Sequence, residues 1–194
     1  MPKLRIKTQF NEAINYIKET KNYIYAIVFI FLFSALIGFL FSNELDAKFR
    51  PLIQNIVSNT EDLNAIELIF YILQNNLQSA ILAIIFGIVI GILPIVNAMT
   101  NGALIGYVLA LTANAIGFSS WWRLLPHGIF ELPAIIIALG LGTKLGFTFF
   151  AKTKNKKQEF VRRWYNSMNV ALLVIIPLLI IAAFVEGLLI AVFS

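Results

Sequence analysis

The chain lacks cysteine, has a single histidine and carries few charged residues of either sign. Without cysteine it has no disulfide, no thiolate nucleophile and no thiolate metal site. Charged residues make up 13% of the 194 positions, whereas a soluble domain carries about 25%. Hydrophobic residues make up 59%, and the mean hydropathy is +0.83. Because this number of charged residues is too small to cover a water-exposed surface, the composition excludes a soluble globular protein and a disordered chain.

Five apolar runs are long enough to cross a membrane, which takes about 20 helical residues. The predicted spans are residues 23–41, 77–98, 102–118, 128–150 and 169–193. The first run is too long, and lies too far into the chain, for a cleavable secretion signal. We therefore predict an all-α integral membrane protein, with one multi-pass domain over residues 1–194 in the cytoplasmic membrane.

Basic residues are distributed unevenly among the segments that connect the spans. Of the 15 Lys and Arg residues, 11 lie in residues 1–22 and 152–163. Five spans put these two segments on the same side, and Lys and Arg in short loops favour the cytoplasmic side. We expect the N-terminus inside, the C-terminus outside, and the segment 42–76 with its five acidic residues facing out.

Two stretches outside the spans have apolar residues at helical spacing. In residues 4–19 the stripe consists of Ile6, Phe10, Ile14 and Ile17. It predicts an amphipathic helix on the inner membrane surface, which is either an anchor or a docking surface for a cytoplasmic partner. Residues 42–76 predict two short helices on the outer surface, with Pro51 near a break or start and a capping box over residues 58–61.

Glycines recur four residues apart, a spacing that lets membrane helices approach closely. The pairs are Gly87 and Gly91, Gly102 and Gly106, and Gly142 and Gly146. We expect them to pack spans within one chain, with contact between chains as the alternative.

The segment from Gly91 to Gly102 joins the second and third spans with almost no loop, so we predict an inner turn there that carries Asn97, Asn101 and Gly102. A turn this apolar lies partly within the bilayer, where irregular backbone must be buried in protein or line a wet cavity. It is either a tight helical hairpin capped by the asparagines or a broken-helix element of a transport site.

Ionisable residues are predicted to meet at the outer end of the fourth and fifth spans. His127 and Glu131 are four residues apart and share a helix face. Glu186 lies about 27 Å along the fifth span, which brings it to the same level. The whole candidate cluster consists of Arg123, His127, Glu131, Glu186, Asn75 and Asn76.

Two carboxylates within apolar spans need an explanation, since each costs on the order of 3 kcal/mol in hydrocarbon. The cluster is either a structural clasp between the fourth and fifth spans or a site for a proton, a metal or a substrate. One histidine without thiolates does not suit zinc. The chain has no Ser/His/Asp ordering and no phosphate-binding glycine loop, and its basic run is typical of a cytoplasmic face that meets anionic lipid. We expect no catalysis, no cofactor, no metal and no nucleic acid.

The order of these motifs resembles the stage II sporulation protein M family. The motifs are Asn75-Asn76, Asn101-Gly102 with Gly106, Leu125-Pro126-His127-Gly128-Ile129-Phe130-Glu131-Leu132-Pro133-Ala134, and Ala182-Ala183-Phe184-Val185-Glu186. The resemblance runs from about residue 70 to the end of the chain. It implies a polytopic membrane protein that, in spore-forming bacteria, is needed for engulfment and holds cell-wall-degrading partners without catalysing a reaction. Relatives also occur in non-spore-forming bacteria and in archaea.

Two functional hypotheses follow. The first is a non-enzymatic membrane scaffold that docks partner proteins through residues 1–21, 42–76 or 152–165. The second is a channel or transporter subunit, which needs a water-filled path from Asn97 and Asn101 to the outer carboxylates. Polar groups lie at both ends of that path with few between, which favours the scaffold. Membrane lipid and proteins are the expected partners, and a homo-oligomer stays open.

Overall fold

The structure, a computed structural model, describes residues 2–88, 91–123 and 125–193, with side chains for residues 7–88, 91–119, 121 and 128–185. This part of the chain is helical and contains no β-strand, which confirms the predicted all-α membrane fold. The α-helices are α1 (Pro2–Leu40), α2 (Ser42–Thr60), α3 (Ala65–Phe86), α4 (Ile92–Ile116), α5 (Leu125–Gly146), α6 (Lys156–Val170) and α7 (Ile176–Phe193). Short 3-10 helices cover Phe118–Arg123 and Phe147–Phe150.

Among the described residues, five helices are long and apolar enough to span a membrane. These helices are Lys7–Leu40, Ala65–Phe86, Ile92–Ile116, Gly128–Phe150 and Lys156–Val185, and each contains an apolar stretch of 18 residues. The fourth is the central one, because 67% of its apolar window is buried, against 22–33% in the others. Its buried side chains are mostly small or aliphatic, including Ala134, Ala138 and Leu141.

The N-terminal amphipathic helix is present, but it is not a separate element. It continues without a break into the first span as α1. Ala13, Tyr16 and Thr20 lie one turn apart on its buried face, and α6 packs against this part of α1. Phe10, from the predicted stripe, is 45% exposed. The buried face is therefore selected by the neighbouring helix and not by the apolar stripe alone.

The turn between the second and third spans lies at the very start of the predicted segment 91–102, before the asparagines. Asn97, Asn101 and Gly102 are inside α4, and the predicted turn there is wrong. The chain turns between α3 and α4, where Gly91 has a left-handed φ of 71°. Glycine adopts this conformation without steric cost. The predicted boundaries 77–98 and 102–118 therefore become Ala65–Phe86 and Ile92–Ile116.

The segment 42–76 forms one surface helix and the start of a span. α2 runs through Pro51, which lies inside the helix and not at its predicted break. Because Pro51 is exposed, the backbone carbonyl that it leaves unpaired is not trapped in the core. The capping box lies at Asn64 and Glu67, not at residues 58–61. Asn64 accepts from the Glu67 backbone at 3.1 Å, and Glu67 accepts from the Asn64 backbone at 2.9 Å.

The glycine pairs bring helices of the same chain into backbone contact. A Cβ atom added to Gly87 would lie 2.2 Å from the Gly142 carbonyl oxygen, and one on Gly106 would lie 1.9 Å from the Ala35 carbonyl oxygen. α3 thus packs on α5, and α4 packs on α1, at distances that only glycine permits.

α6 and α7 form one continuous helical run through a π-helical segment, Ala171–Ile175. Pro177 lies two residues after the end of this segment. Its ring cannot donate a hydrogen bond and clashes with the carbonyl of residue 173, and a wider π turn accommodates both effects.

Candidate functional site

The predicted outer cluster is described only in part. Glu131 lies in α5 and is half-buried, Asn76 is 8% exposed in α3, and Asn75 beside it is exposed. Adjacent residues of a helix point in different directions, so the two asparagines do not act as a pair. The side chains of Arg123, His127 and Glu186 lie outside the described residues. Their meeting with Glu131 stays a prediction.

A different polar site joins α1, α5 and α6 at the end of the bundle where α5 ends. We call this site the ion-paired cluster; its members are Tyr16, Glu19, Thr20, Lys144, Glu159, Arg162 and Arg163. The Glu19 carboxylate accepts from the Lys144 Nζ at 2.9 Å and from the two Arg162 guanidinium NH groups at 2.8 and 3.1 Å. One carboxylate therefore holds cations from two other helices.

Glu159 extends the cluster along α6. Its carboxylate accepts from the Arg162 Nε at 2.9 Å and from the Arg163 Nε at 2.7 Å. Arg163 also donates to the backbone carbonyl of Lys144, which is near the C-terminus of α5. Carbonyls in the last turn of a helix have no partner within the helix. Arg163 thus caps α5 and ties it to α6.

Lys144 is the buried centre of the ion-paired cluster. It is 4% exposed, and a buried ammonium group is costly unless each of its donors has a partner. Its Nζ contacts the Glu19 carboxylate at 2.9 Å and the Thr20 hydroxyl at 3.1 Å, and lies 4.0 Å from the centre of the Tyr16 ring. Three donors therefore meet two oxygens and an aromatic face.

Glu19 and Glu159 lie at the polar ends of their helices, before the apolar runs that begin at residues 23 and 169, and both carboxylates stay ionised well below neutral pH. The hydrogen bond from Arg162, aided by Lys144, lowers the pKa of Glu19 to about 2. The hydrogen bonds from Arg162 and then Arg163 lower the pKa of Glu159 to about 2. Positive and negative charges thus alternate along the cluster, from Lys144 through Glu19, Arg162 and Glu159 to Arg163. Such an arrangement holds the three helices in fixed positions relative to one another.

A second polar contact fastens α2 to α4. The Tyr107 hydroxyl, on a fully buried residue, donates to the Asp46 carboxylate at 2.5 Å. Arg50 donates to both oxygens of the same carboxylate at 2.8 Å. Phe49 is buried with its ring centre 5.5 Å from that of Tyr107. The surface helix is therefore packed on the bundle through one aromatic pair and one carboxylate.

Sequence analysis missed the ion-paired cluster, although some signals were readable. Glu159 precedes Arg162 and Arg163 by three and four residues, the spacing of ion pairs on a helix. Lys144 interrupts an apolar span, which requires a buried partner. The partner is Glu19, 125 residues away, and no local pattern indicates it. In the described part of the chain no three His, Asp or Glu side chains are placed to hold a metal ion.

Comparison with known proteins gives one family match and a distant relative. The family model for stage II sporulation protein M matches residues 27–189. An uncharacterized protein of Methanocaldococcus jannaschii is 31% identical over 120 residues, which cover 59% of this chain and 66% of the relative. The match thus spans slightly less than two thirds of the relative's length. No solved structure matches the chain.

Proposed function

The chain belongs to the stage II sporulation protein M family, and from this premise we propose that it is a non-enzymatic membrane scaffold that docks partner proteins. The observation that supports the proposal is the ion-paired cluster. It fixes α6 to α1 through Arg162 and to α5 through Arg163, and Arg163 and Ser167 mark the buried face of α6. A surface that is already ordered binds without the entropic cost of ordering it.

The opposite face of α6 is the proposed docking surface. Val161 and Tyr165 are 56% and 60% exposed, one turn apart, and Lys157 and Gln158 beside them are exposed too. Apolar side chains rimmed by polar and basic ones are typical of protein interfaces. In the proposed topology this face lies on the cytoplasmic side of the cell membrane, within the positively charged segment 152–163 of the chain. The proposal includes no catalysis and no cofactor.

Photo-crosslinking tests the docking surface with a matched control in the same helical run. A photoreactive phenylalanine analogue replaces Val161 in one variant and Leu172 in the other. The two positions are 56% and 64% exposed, and eleven residues bring them to nearly the same face of a helix. In native membranes we expect discrete protein adducts from position 161 and lipid adducts alone from position 172. Equal patterns at both positions, or no protein adduct at 161, would contradict the scaffold.

A channel or transporter subunit is the second candidate, favoured by one observation. Ser79 and Asn97 line a 140 Å³ cavity between α3 and α4, and Asn97 accepts a hydrogen bond from the Asn101 amide at 2.7 Å. Two polar side chains in an otherwise apolar cavity between spans suit a solute site. Ion or solute flux in proteoliposomes that is abolished by Asn97→Leu, with thermal stability retained, would support transport. A scaffold gives no flux, either as the natural protein or as the Asn97→Leu variant.

A further inference from the structure

α3 carries uncharged amides on a face that no other described element covers. Gln74 and Gln78 are exposed, and so are Phe70 at 66% and Ile81 at 43%. These four residues are spaced by four, four and three positions, so they form one stripe along the helix. The opposite face is buried against α5 and α7 through residues such as Ala80 and Ala83.

The two glutamines lie within the hydrocarbon and not at its edge. The turn at Gly87 packs against Gly142, one residue before the last turn of α5 begins. At 1.5 Å per residue, Gln78 lies about 13 Å and Gln74 about 20 Å from that turn along α3. A hydrocarbon core is about 30 Å thick, so Gln78 is near its middle and Gln74 in its outer part.

Lipid leaves these amides without partners. Neither glutamine side chain makes a hydrogen bond within the described part of the chain, and acyl chains offer none. An amide transferred to an apolar medium without a hydrogen bond costs several kcal/mol on hydrocarbon scales. The stripe also borders a groove of 540 Å³ whose described lining belongs to α3 alone, including Leu77 and Ile81. A helix that brings amides at the same two depths would satisfy both glutamines and fill the groove.

We propose that the α3 stripe is the interface with a second copy of this chain. Two copies in one membrane have the same orientation, so their two-fold axis lies along the membrane normal and the two α3 helices run parallel. Each residue then meets its own counterpart at its own depth. A carboxamide is both donor and acceptor, so Gln74 pairs with Gln74 of the second copy and Gln78 with Gln78. A second copy therefore supplies hydrogen-bond partners for both glutamines at once, and Phe70 and Ile81 pack around the two glutamine pairs. The inference is independent of the proposed scaffold function.

Cysteine crosslinking tests the interface, because the natural chain has no cysteine. Ile81→Cys keeps both glutamines and places a thiol on the stripe, while Phe29→Cys, at a position on α1 that is 69% exposed, is the control. Under mild oxidation in membranes we expect Ile81→Cys to form a species of twice 21.8 kDa and Phe29→Cys to stay monomeric. A folded Ile81→Cys protein that stays monomeric, or that crosslinks no better than the control, overturns the proposal.

The amides are tested by substitution in the same background. Gln74→Leu together with Gln78→Leu removes the polar pairs but keeps an apolar surface, so folding is retained and is checked by thermal unfolding. Energy transfer between labelled copies in liposomes measures the dissociation constant, which we expect to rise about tenfold, since each interhelical hydrogen bond contributes modestly. Thr100→Leu, at an exposed position of α4, should leave it unchanged. An unchanged constant in the double variant overturns the assignment of the glutamines.

Discussion

At the scale of single residues, burial decides which partner of an ion pair costs more stability when it is removed. Lys144 is 4% exposed, whereas the Glu19 side chain is 45% exposed and also pairs with Arg162. Removing the lysine leaves a carboxylate that water and Arg162 still satisfy. Removing the carboxylate leaves a buried cation, the costlier defect.

We therefore expect Glu19→Gln to destabilise the protein more than Lys144→Met. The glutamine keeps one hydrogen bond but no charge, so we expect a loss on the order of 2 kcal/mol, against about 1 kcal/mol or less for the lysine variant. Thermal unfolding in detergent measures both midpoints, with Glu12→Gln, at an exposed position of α1, as the control. The reverse order would show that Lys144 is stabilised chiefly by its packing.

The pH dependence of the cluster follows from Glu159. Its pKa falls from an ordinary value of 4.5 to about 2 in the folded protein, so it favours folding above pH 4.5 and loses that contribution as the pH falls towards 2. We expect the difference in thermal midpoint between the natural protein and Glu159→Gln to be constant from pH 7 to 5 and to shrink below 4.5. The comparison cancels the carboxylates that lie outside the ion-paired cluster. A difference that grows at low pH would contradict the ion pairs.

Glu131 allows the two interpretations of the predicted outer cluster to be separated. For a structural clasp, Glu131→Gln should be less destabilised than Glu131→Ala by about 1–2 kcal/mol, because the amide keeps hydrogen bonds that alanine loses. For proton or cation handling, Glu131→Gln should retain its thermal midpoint and lose flux in proteoliposomes. Equal destabilisation by both substitutions would rule out the clasp.

At the scale of the helices, backbone contact sets the packing of α3 against α5. A Cβ atom on Gly146 would lie 2.0 Å from the Gly91 nitrogen and 2.1 Å from the Gly87 carbonyl oxygen. These are backbone atoms, so the helices must move apart to admit a methyl group. For Gly128, in the first turn of the same helix, the nearest atom among the described residues is a Leu132 methyl group at 3.4 Å.

We expect Gly146→Ala to destabilise the protein by about 1–3 kcal/mol, the range of overpacked cores. Gly128→Ala should be neutral or stabilising by up to about 1 kcal/mol, because alanine favours the helix. Thermal unfolding of the two variants in detergent gives the comparison. A Gly146→Ala protein as stable as Gly128→Ala would mean that α3 and α5 are further apart than the structure places them.

At the scale of the whole molecule, the two most basic segments of the chain meet at one end. Glu19, between Lys18 and Lys21, contacts Arg162 of the second segment. The side of the membrane on which they lie follows from charge alone and stays a prediction.

Variants with a single cysteine show on which side of the membrane each segment lies. Asp62→Cys and Lys154→Cys both place a thiol at an exposed position in a chain without other thiols. In intact cells we expect a membrane-impermeant maleimide to label position 62 and not position 154, and to label both after the membrane is opened. The cysteine-free chain is the blank. Labelling of position 154 alone in intact cells would invert the topology.

Hydropathy, which is read residue by residue, was enough to predict the class of protein and the number of spans, and local motifs were enough to predict the family. Each span must satisfy its own backbone in lipid, so its apolar length is visible without knowledge of its neighbours. The motif from Pro126 to Ala134 likewise lies in one stretch.

Only the tertiary structure located the turn at Gly91 and joined Glu19 to Lys144. Residues 77–118 contain no charge, so hydropathy does not mark where the chain reverses, and the asparagines that suggested a turn form a hydrogen bond within α4. The reversal is set by the contact of Gly87 and Gly91 with α5. The ion-paired cluster joins positions 125 residues apart, and its geometry exists only once α1, α5 and α6 have packed, because a buried charge acquires its partners from the fold.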